Sequence, residues 1–141
     1  MAEVRVNWVE GFQFIGTGSN GHTIVLDAPA KGGGKGEGIK PSELLLLGLA
    51  GCTGYDVVQI LTKQRQEIRN LEVSVEGLQA ADPPWPFEKI IVTYKLKGNM
   101  INETFVQRAI ELSETKYCSV GATISGKATI ETRYEIEQSP S

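Results

Sequence analysis

A long apolar stretch, residues 40–63, constrains the fold of this chain most: KPSELLLLGLAGCTGYDVVQILTK. Pro41 suits the first position of a helix because its missing N–H would have no partner there, and Glu43 complements the positive end of the helix dipole. The stretch is apolar on nearly every side, which predicts a central helix that needs cover from more than one direction, including a second subunit. Asp56 and three glycines interrupt the apolar run, so we predict no membrane span.

Three glycines surround Cys52 in this stretch, and two explanations for them are open. Each glycine destabilises a helix interior by roughly 1 kcal/mol relative to alanine. Gly48, Gly51 and Gly54 therefore indicate either close packing against another element or a break of the helix near Gly51. After a break, Cys52 would lie at the start of a second helical segment, where the dipole and free N–H groups lower the pKa of a thiol. The residue type by itself favours a small, buried, structural cysteine.

Length, charge and cysteine content limit the class of protein. The 141 residues, 40% of them hydrophobic and 22% charged, fit one globular domain over residues 1–141. A net charge of −3 without a basic block argues against a nucleic-acid partner. The N-terminus lacks the basic and apolar regions of a signal peptide, so the two cysteines indicate the reducing cytoplasm. In that compartment a cysteine pair is more often free or redox-active than a structural disulfide.

Two further patterns argue against bound cofactors. The single histidine, His22, excludes a multi-histidine metal site, and a site from both cysteines, His22 and a carboxylate has no supporting spacing, so we predict no metal. Gly16, Gly18 and Gly21 spell GxGxxG, but they lie between predicted strands rather than before a helix, which excludes a dinucleotide site. Residues 28–38, APAKGGGKGEG, lack the Ser or Thr of a phosphate loop and predict a mobile surface loop or a flap beside the helix.

The rest of the chain predicts strands and one more helix. Six segments have the composition or alternation of strands: 3–9, 12–15, 22–27, 71–78, 87–97 and 128–136. Asn20-Gly21 is a hairpin signal, which makes the first three strands an antiparallel meander. The fourth and fifth form a second hairpin, whose loop carries Trp85 as a core cap or a binding aromatic. Asn102 can cap a second helix that runs to about Lys116. This element order predicts an α+β fold.

The helix with Cys52 and the segment KYCSV around Cys118 together resemble the OsmC/Ohr family of thiol peroxidases. In that family a proline lies eleven residues before a reactive cysteine, as Pro41 precedes Cys52 here, and a second cysteine follows the second helix, as Cys118 does. The resemblance covers essentially the whole chain. It implies an OsmC-like fold, with antiparallel sheets around a long central helix, in an intertwined homodimer whose interface brings the two cysteines together.

The same resemblance implies a chemistry. The Cys52 thiolate would attack the O–O bond of an organic hydroperoxide and become a sulfenic acid, with which Cys118 would condense to a disulfide. A small dithiol such as dihydrolipoamide would then restore both thiols. The family implies no metal, haem or flavin. The chain would thus be a cytoplasmic oxidoreductase of the oxidative-stress response, with Cys52 as peroxidatic and Cys118 as resolving residue.

The chain departs from the family pattern in the residues that activate the thiolate. The family glutamate directly follows the proline and aligns with Ser42, whereas Glu43 is one residue late and points about 100° away on a helix. The family arginine of the first hairpin has no counterpart, because residues 6–64 contain no arginine. Arg5, Lys40 or an arginine of a partner subunit could substitute. The second cysteine is followed by serine where the family usually has proline.

Two residues near Cys52 on the helix, Asp56 and Tyr55, have predicted effects on its chemistry. Asp56, at i+4, shares a face with Cys52 and would raise its pKa by like-charge repulsion, unless a lysine or arginine pairs with it for a purely structural role. Tyr55 is expected to line an apolar pocket around Cys52.

The primary hypothesis is a thiol-dependent organic hydroperoxide reductase. The alternative, supported by the missing arginine, is a small-ligand binding or redox-sensing protein on the same scaffold.

Overall fold

An antiparallel meander opens the chain, as the Asn-Gly turn predicts. In the computed structural model, which describes residues 2–140, it consists of β1 (Arg5–Glu10), β2 (Gln13–Thr17) and β3 (Thr23–Leu26) in that order. Gly21, with a φ of +90°, occupies the turn between β2 and β3, a backbone conformation that favours glycine. The GxGxxG glycines thus lie in β2 and this turn, with no helix directly after them.

A buried aspartate organises the glycine-rich segment after β3. The Asp27 carboxylate is 2% exposed and accepts the backbone N–H groups of Ala28 at 2.7 Å, Lys35 at 3.3 Å and Glu37 at 3.2 Å. The segment contains a single 3₁₀ turn, Ala30–Gly32. Asp27 therefore ties the segment to the end of β3, which the glycine content alone did not predict.

The central helix, α1 (Pro41–Lys63), runs without interruption through Gly51, so of the two explanations for the glycines the break is wrong. A Cβ atom added at Gly48 or at Gly51 would meet nothing within 4 Å, whereas one at Gly54 would lie 3.4 Å from Cγ2 of Val73. Gly54 thus lies closest to another element, although 3.4 Å is an ordinary van der Waals distance. No other element among residues 2–140 approaches Gly48 or Gly51 closely enough to explain a glycine there.

Only one face of α1 is buried. Its buried residues are Leu49, Thr53, Asp56, Val57 and Leu61. Other apolar side chains of the helix remain exposed: Leu45, Leu47, Tyr55 and Val58. By length and apolar composition α1 could cross a membrane, a criterion that the core helix of a soluble protein also meets.

A mixed sheet packs against α1. The strands β4 (Glu67–Gln79) and β5 (Phe87–Asn99) form the predicted antiparallel hairpin. The last strand, β6 (Thr129–Gln138), pairs with β5 in parallel, so the antiparallel description applies to the meander and the hairpin but not to this pair. The reason is the long helical connection between β5 and β6, since parallel neighbours require a crossover of this kind.

The connection contains two helices where one was predicted. Asn102 caps α2 (Glu103–Leu112), accepting the Thr104 N–H at 2.9 Å as expected. The predicted continuation to about Lys116 is instead a wider π-helical turn, Ser113–Tyr117, and a short helix, α3 (Ser119–Ile124), follows.

By Cα packing the described residues form two units, 2–45 and 46–140. The core of the second unit consists of side chains from α1, β5 and α2, among them Val57, Leu61, Ile90, Val92, Tyr94, Leu96, Val106 and Ala109. The β5 members alternate along the strand, so one face of β5 meets the buried face of α1. This packing places the middle of α1, with Cys52, beside the chain that leads into α3.

Candidate active site

The two cysteines meet within the second unit. Cys52 lies in the middle of α1 and is half-buried, and Cys118 lies directly before α3 and is 4% exposed. Their sulfur atoms and a carboxylate oxygen of Asp56 lie within 4.8 Å of one another, and both cysteines are free thiols. A disulfide requires sulfur atoms about 2.05 Å apart. Bond formation therefore needs a further approach of the two side chains.

The π-helical turn and the start of α3 position Cys118. Its backbone N–H donates to the Ser113 carbonyl at 2.9 Å, and its Sγ accepts the Gly121 N–H at 3.3 Å, as an N-cap side chain does. A Cβ atom at Gly121 would lie 3.4 Å from this Sγ and 3.6 Å from Cδ1 of Leu49. The sulfur thus lies against the first turn of α3, which itself packs close to Leu49 of α1.

Hydrogen bonds favour the thiolate form of Cys52. Burial raises its pKa, but hydrogen bonds from the Cys118 thiol, the Val120 backbone N–H and the Ser119 side chain outweigh burial and hold the pKa below its ordinary value, while the charge of Asp56 opposes them. None of these groups is a cation. A break in α1 would have supplied a backbone N–H to stabilise the thiolate. In the structure Val120, in the first turn of α3, supplies it.

Cys118 is shifted in the opposite direction. Burial raises the pKa of its thiol to about 11, and the hydrogen bond to Cys52 contributes to the same shift because the proton stays on Cys118. The Gly121 N–H lowers it by a smaller amount. At neutral pH the pair is therefore asymmetric, with Cys52 the better thiolate and Cys118 a protonated donor.

A chain of buried hydroxyl groups ends at Asp56. The Ser113 hydroxyl donates to Oδ2 of Asp56 at 2.8 Å, Thr53 Oγ1 lies 2.8 Å from Ser113 Oγ, and the Tyr94 hydroxyl lies 2.5 Å from Thr53 Oγ1. Each hydroxyl carries one hydrogen. Since Ser113 donates to the carboxylate, Thr53 must donate to Ser113 and Tyr94 to Thr53. All four side chains of this hydroxyl chain are buried.

The hydroxyl chain explains why Asp56 needs no cation. Among the described residues, none of the ion pairs includes Asp56, so its predicted pairing with a lysine or arginine is wrong. Ser113 satisfies the carboxylate instead. The charge of Asp56 raises the pKa of Cys52, which is the predicted direction. Sequence reasoning missed Thr53, Ser113 and Tyr94, because they come from three elements with no motif to connect them.

A cavity of about 400 Å³ lies beside Cys118 rather than around Tyr55. Its lining residues are Leu49, Thr53, Glu114, Cys118, Gly121, Ser125, Gly126, Ala128, Thr129 and Ile130. Tyr55 is 67% exposed and lines a separate, open depression with Leu47, Val58 and Val73. Cys52 is a lining residue of neither the cavity nor the depression, so the expected pocket that joins Tyr55 to Cys52 is not found in these two places.

The other predicted activating residues belong to the first unit. Glu43 lies exposed in the first turn of α1, and Arg5 begins β1, where it borders a mainly apolar depression with Val6, Thr17 and His22. Both cysteines lie in the second unit. Trp85, in the loop between β4 and β5, is 52% exposed and thus only half covered.

Comparisons with known proteins identify a family and a shared fold. Residues 33–133 match the sequence profile described as OsmC-like protein. The chain is 34% identical to Protein YhfA of Escherichia coli strain K12 over 134 residues, covering 95% of this chain and 97% of YhfA. A solved structure of a hypothetical protein from Aquifex aeolicus VF5 superposes with a TM-score of 0.87 at 28% identity, covering 99% and 98% of the two chains. An organic hydroperoxide resistance protein OsmC from Legionella pneumophila shares the fold, with a TM-score of 0.70 at 16% identity and 96% coverage of both chains.

Proposed function

The chain belongs to the OsmC-like protein family, and from this premise we propose that it is a thiol-dependent peroxidase that reduces organic hydroperoxides. One observation carries the proposal: two free thiols lie within 4.8 Å of each other with opposite pKa shifts. Such a pair combines a nucleophile with a protonated partner that can resolve the oxidised product. The similarity to an organic hydroperoxide resistance protein supports the substrate class.

The proposed reaction uses both cysteines in sequence. The Cys52 thiolate attacks one oxygen of the hydroperoxide, the O–O bond breaks, and the alkoxide leaves as an alcohol after taking a proton, so that Cys52 becomes a sulfenic acid. The Cys118 sulfur then attacks the Cys52 sulfur, forming a disulfide and releasing water. Two thiols and one hydroperoxide thus give one disulfide, one alcohol and one water. An external dithiol reduces the disulfide.

The proposal assigns the activation of Cys52 to the second unit. The hydrogen bonds from Cys118, Val120 and Ser119 take the place of the family arginine and glutamate in favouring the thiolate. Turnover then requires neither Arg5 nor Glu43. Unlike a cation, these donors hold the thiolate without adding positive charge, so we expect a slower peroxide reaction than an arginine would support.

The surroundings of the site support an apolar substrate and a dimer. The cavity beside Cys118 includes Leu49, Ala128 and Ile130, which suit the organic part of a hydroperoxide better than hydrogen peroxide. Leu47 and Val58 of α1 are exposed, and a homodimer would cover them. We place the protein in the cytoplasm, where its free thiols remain reduced.

A second function rests on a different observation. Because none of the groups that set the pKa of Cys52 is a cation, the peroxide could lack a partner for its departing oxygen. The chain would then bind a small ligand or sense oxidants without turnover. Slow oxidation of Cys52 without repeated reduction would distinguish this function from catalysis.

Thiol stoichiometry tests the proposal directly. Reduced protein is mixed with an equivalent of cumene hydroperoxide or hydrogen peroxide, and free thiols and intact mass are followed over time. We expect rapid loss of both thiols, a mass decrease of two hydrogens, and a faster reaction with the organic peroxide. Thiols that react no faster than free cysteine would overturn the proposal and favour the second function.

A further inference from the structure

Three potential metal ligands converge at the cysteine pair. The sulfur atoms of Cys52 and Cys118 and a carboxylate oxygen of Asp56 all lie within 4.8 Å of one another. Zinc–sulfur bonds near 2.3 Å place two thiolate ligands of a tetrahedral site roughly 3.8 Å apart. The three atoms therefore need to move by only about 1 Å to surround one ion. We propose that the reduced protein binds one zinc ion, or a similar soft divalent cation, at these three residues.

The positions of the ligands suit a metal site. Cys52 and Asp56 are four residues apart on α1, the spacing that puts two ligands on one helix face, as in the HExxH zinc motif. Cys118 comes from a separate element, the N-cap of α3, and supplies the third ligand atom. Three protein ligands leave a fourth position for water or a small thiol. Cys52 is only half-buried, which gives the ion a route to the site.

The hydroxyl chain provides the outer contacts that metal ligands need. Ligating carboxylates are commonly held in place by a hydrogen bond from a neighbouring group. Here Ser113 donates to Asp56, and Thr53 and Tyr94 hold Ser113 in turn. The carboxylate is thus oriented before an ion arrives.

The donor set selects the kind of metal. Two thiolates and one carboxylate match zinc and other soft cations, whereas magnesium and calcium take oxygen ligands. Binding requires both thiolates, so each ion releases the protons of the two thiols. The three negative ligands then offset the two positive charges of the ion.

Metal binding would couple the site to its redox state. Zinc would occupy the same sulfur atoms that the proposed peroxidase reaction uses, so metal binding and disulfide formation exclude each other. Oxidation by a hydroperoxide, with two protons taken from solvent, would give the disulfide, alcohol and water and would release the ion. The inference uses the same two thiols but does not require turnover, and its test contains no peroxide.

Cobalt is the probe for this site. Reduced, chelator-treated full-length protein is titrated with Co²⁺ without oxygen, and then with Zn²⁺ as competitor. We expect sulfur-to-cobalt charge-transfer absorption and the strong visible bands of tetrahedral cobalt, saturating at one ion per chain and lost as zinc displaces cobalt. Absent sulfur-to-cobalt absorption would overturn the inference, whatever the peroxide assay shows.

Variants assign the ligands. Cys52→Ser and Cys118→Ser should each abolish the charge-transfer band, and Asp56→Asn should weaken binding by about tenfold or more. Ser113→Ala should weaken it roughly 10- to 100-fold through the outer contact. His22→Ala should bind like the wild type, since the three converging ligands are Cys52, Asp56 and Cys118. A weaker His22→Ala, or a Cys118→Ser variant with wild-type affinity, would overturn the ligand set.

Chemical blocking replaces any variant that fails to fold. Wild-type protein with both thiols alkylated keeps every other residue, and circular dichroism verifies its fold. We expect it to bind no zinc at the affinity of the reduced protein. Retained binding would place the ion on surface carboxylates and contradict the inference.

Discussion

Cys52 and Cys118 have opposite pKa shifts although their sulfur atoms lie within 4.8 Å of each other: the pKa of Cys52 lies below its ordinary value, and that of Cys118 rises to about 11. A protonated Cys118 thiol beside the Cys52 sulfur favours the thiolate form of Cys52, and Cys118 keeps its own proton. The proposed roles of nucleophile and resolving thiol thus depend on how Cys118 and the first turn of α3 lie beside Cys52.

The pH dependence of peroxide reactivity follows from this contact. Because the pKa of Cys52 is below its ordinary value, its reaction should reach its plateau at a lower pH than that of free cysteine. Cys118→Ala removes a donor to the thiolate, so the pKa of Cys52 should rise and the plateau should move to higher pH. The pKa of Cys52 in the wild type and in the variant is measured from the ultraviolet absorbance of the thiolate as a function of pH. A variant with an unchanged or lower pKa would contradict the role of the hydrogen bond.

Single cysteine variants should separate the two proposed roles. Cys52→Ser should abolish peroxidase turnover, whereas Cys118→Ser should react once and leave a sulfenic acid on Cys52 that a dimedone probe traps. Mass spectrometry of the trapped adduct provides the measurement. Arg5→Ala and Glu43→Gln are the matched controls and should keep at least half of the wild-type rate. Turnover retained in Cys52→Ser would show that the roles are wrongly assigned.

Removing the charge of Asp56 should make Cys52 more reactive at neutral pH. Asp56→Asn eliminates the negative charge that raises the pKa of Cys52 but keeps an oxygen that can accept from Ser113. The thiolate fraction and the rate of peroxide reduction should rise, at a cost of about 1 kcal/mol in unfolding free energy. Stopped-flow kinetics and urea unfolding test the two effects. A slower reaction in a folded variant would indicate that the carboxylate assists the chemistry.

Tyr94 should limit the stability of the protein at alkaline pH. Burial raises the pKa of Tyr94 from 10.0 to about 12, so the folded state favours the protonated hydroxyl. This contribution to stability is complete below pH 10 and is lost as the pH rises through about 12. Tyr94→Phe should unfold about 1 kcal/mol more easily at neutral pH, because Thr53 loses its donor, but should lose less stability above pH 10.

Denaturant unfolding at a series of pH values measures this difference. Tyr55→Phe, which changes an exposed tyrosine outside the hydroxyl chain, is the control and should follow the wild-type profile. Identical alkaline profiles for Tyr94→Phe and the wild type would contradict the importance of the buried hydroxyl.

The glycines of α1 test the proposed dimer. A Cβ atom at Gly48 would meet no other element of the described residues within 4 Å, so in a monomer Gly48→Ala should stabilise the helix by roughly 1 kcal/mol. If a second subunit packs on this face, a larger side chain in Gly48→Leu should weaken association and shift the protein toward monomer. We expect this shift, measured by analytical ultracentrifugation across a range of concentrations. A wild-type chain that is monomeric at high concentration would overturn the proposal of a dimer.

Local signals in the sequence predicted the elements of this fold well. The Asn20-Gly21 turn, the Pro41 helix start and the Asn102 cap each act within a few residues, and each marks the predicted boundary in the structure. The π-helical turn and α3 were missed, because residues 113–124 lack the length and periodicity of a predictable helix.

Sequence alone determined the order of the strands and of the two longer helices, the α+β class and the family, because these depend on periodicity, caps and a cysteine pair at recognisable positions. Only the tertiary structure decided how the two thiols differ and what satisfies Asp56. Those properties depend on Thr53, Tyr94 and Ser113, which α1, β5 and the π-helical turn bring together. Tertiary packing also decided that α1 continues through Gly51, because the buried face of the helix packs against the core. The glycines in the sequence carry no information about that packing.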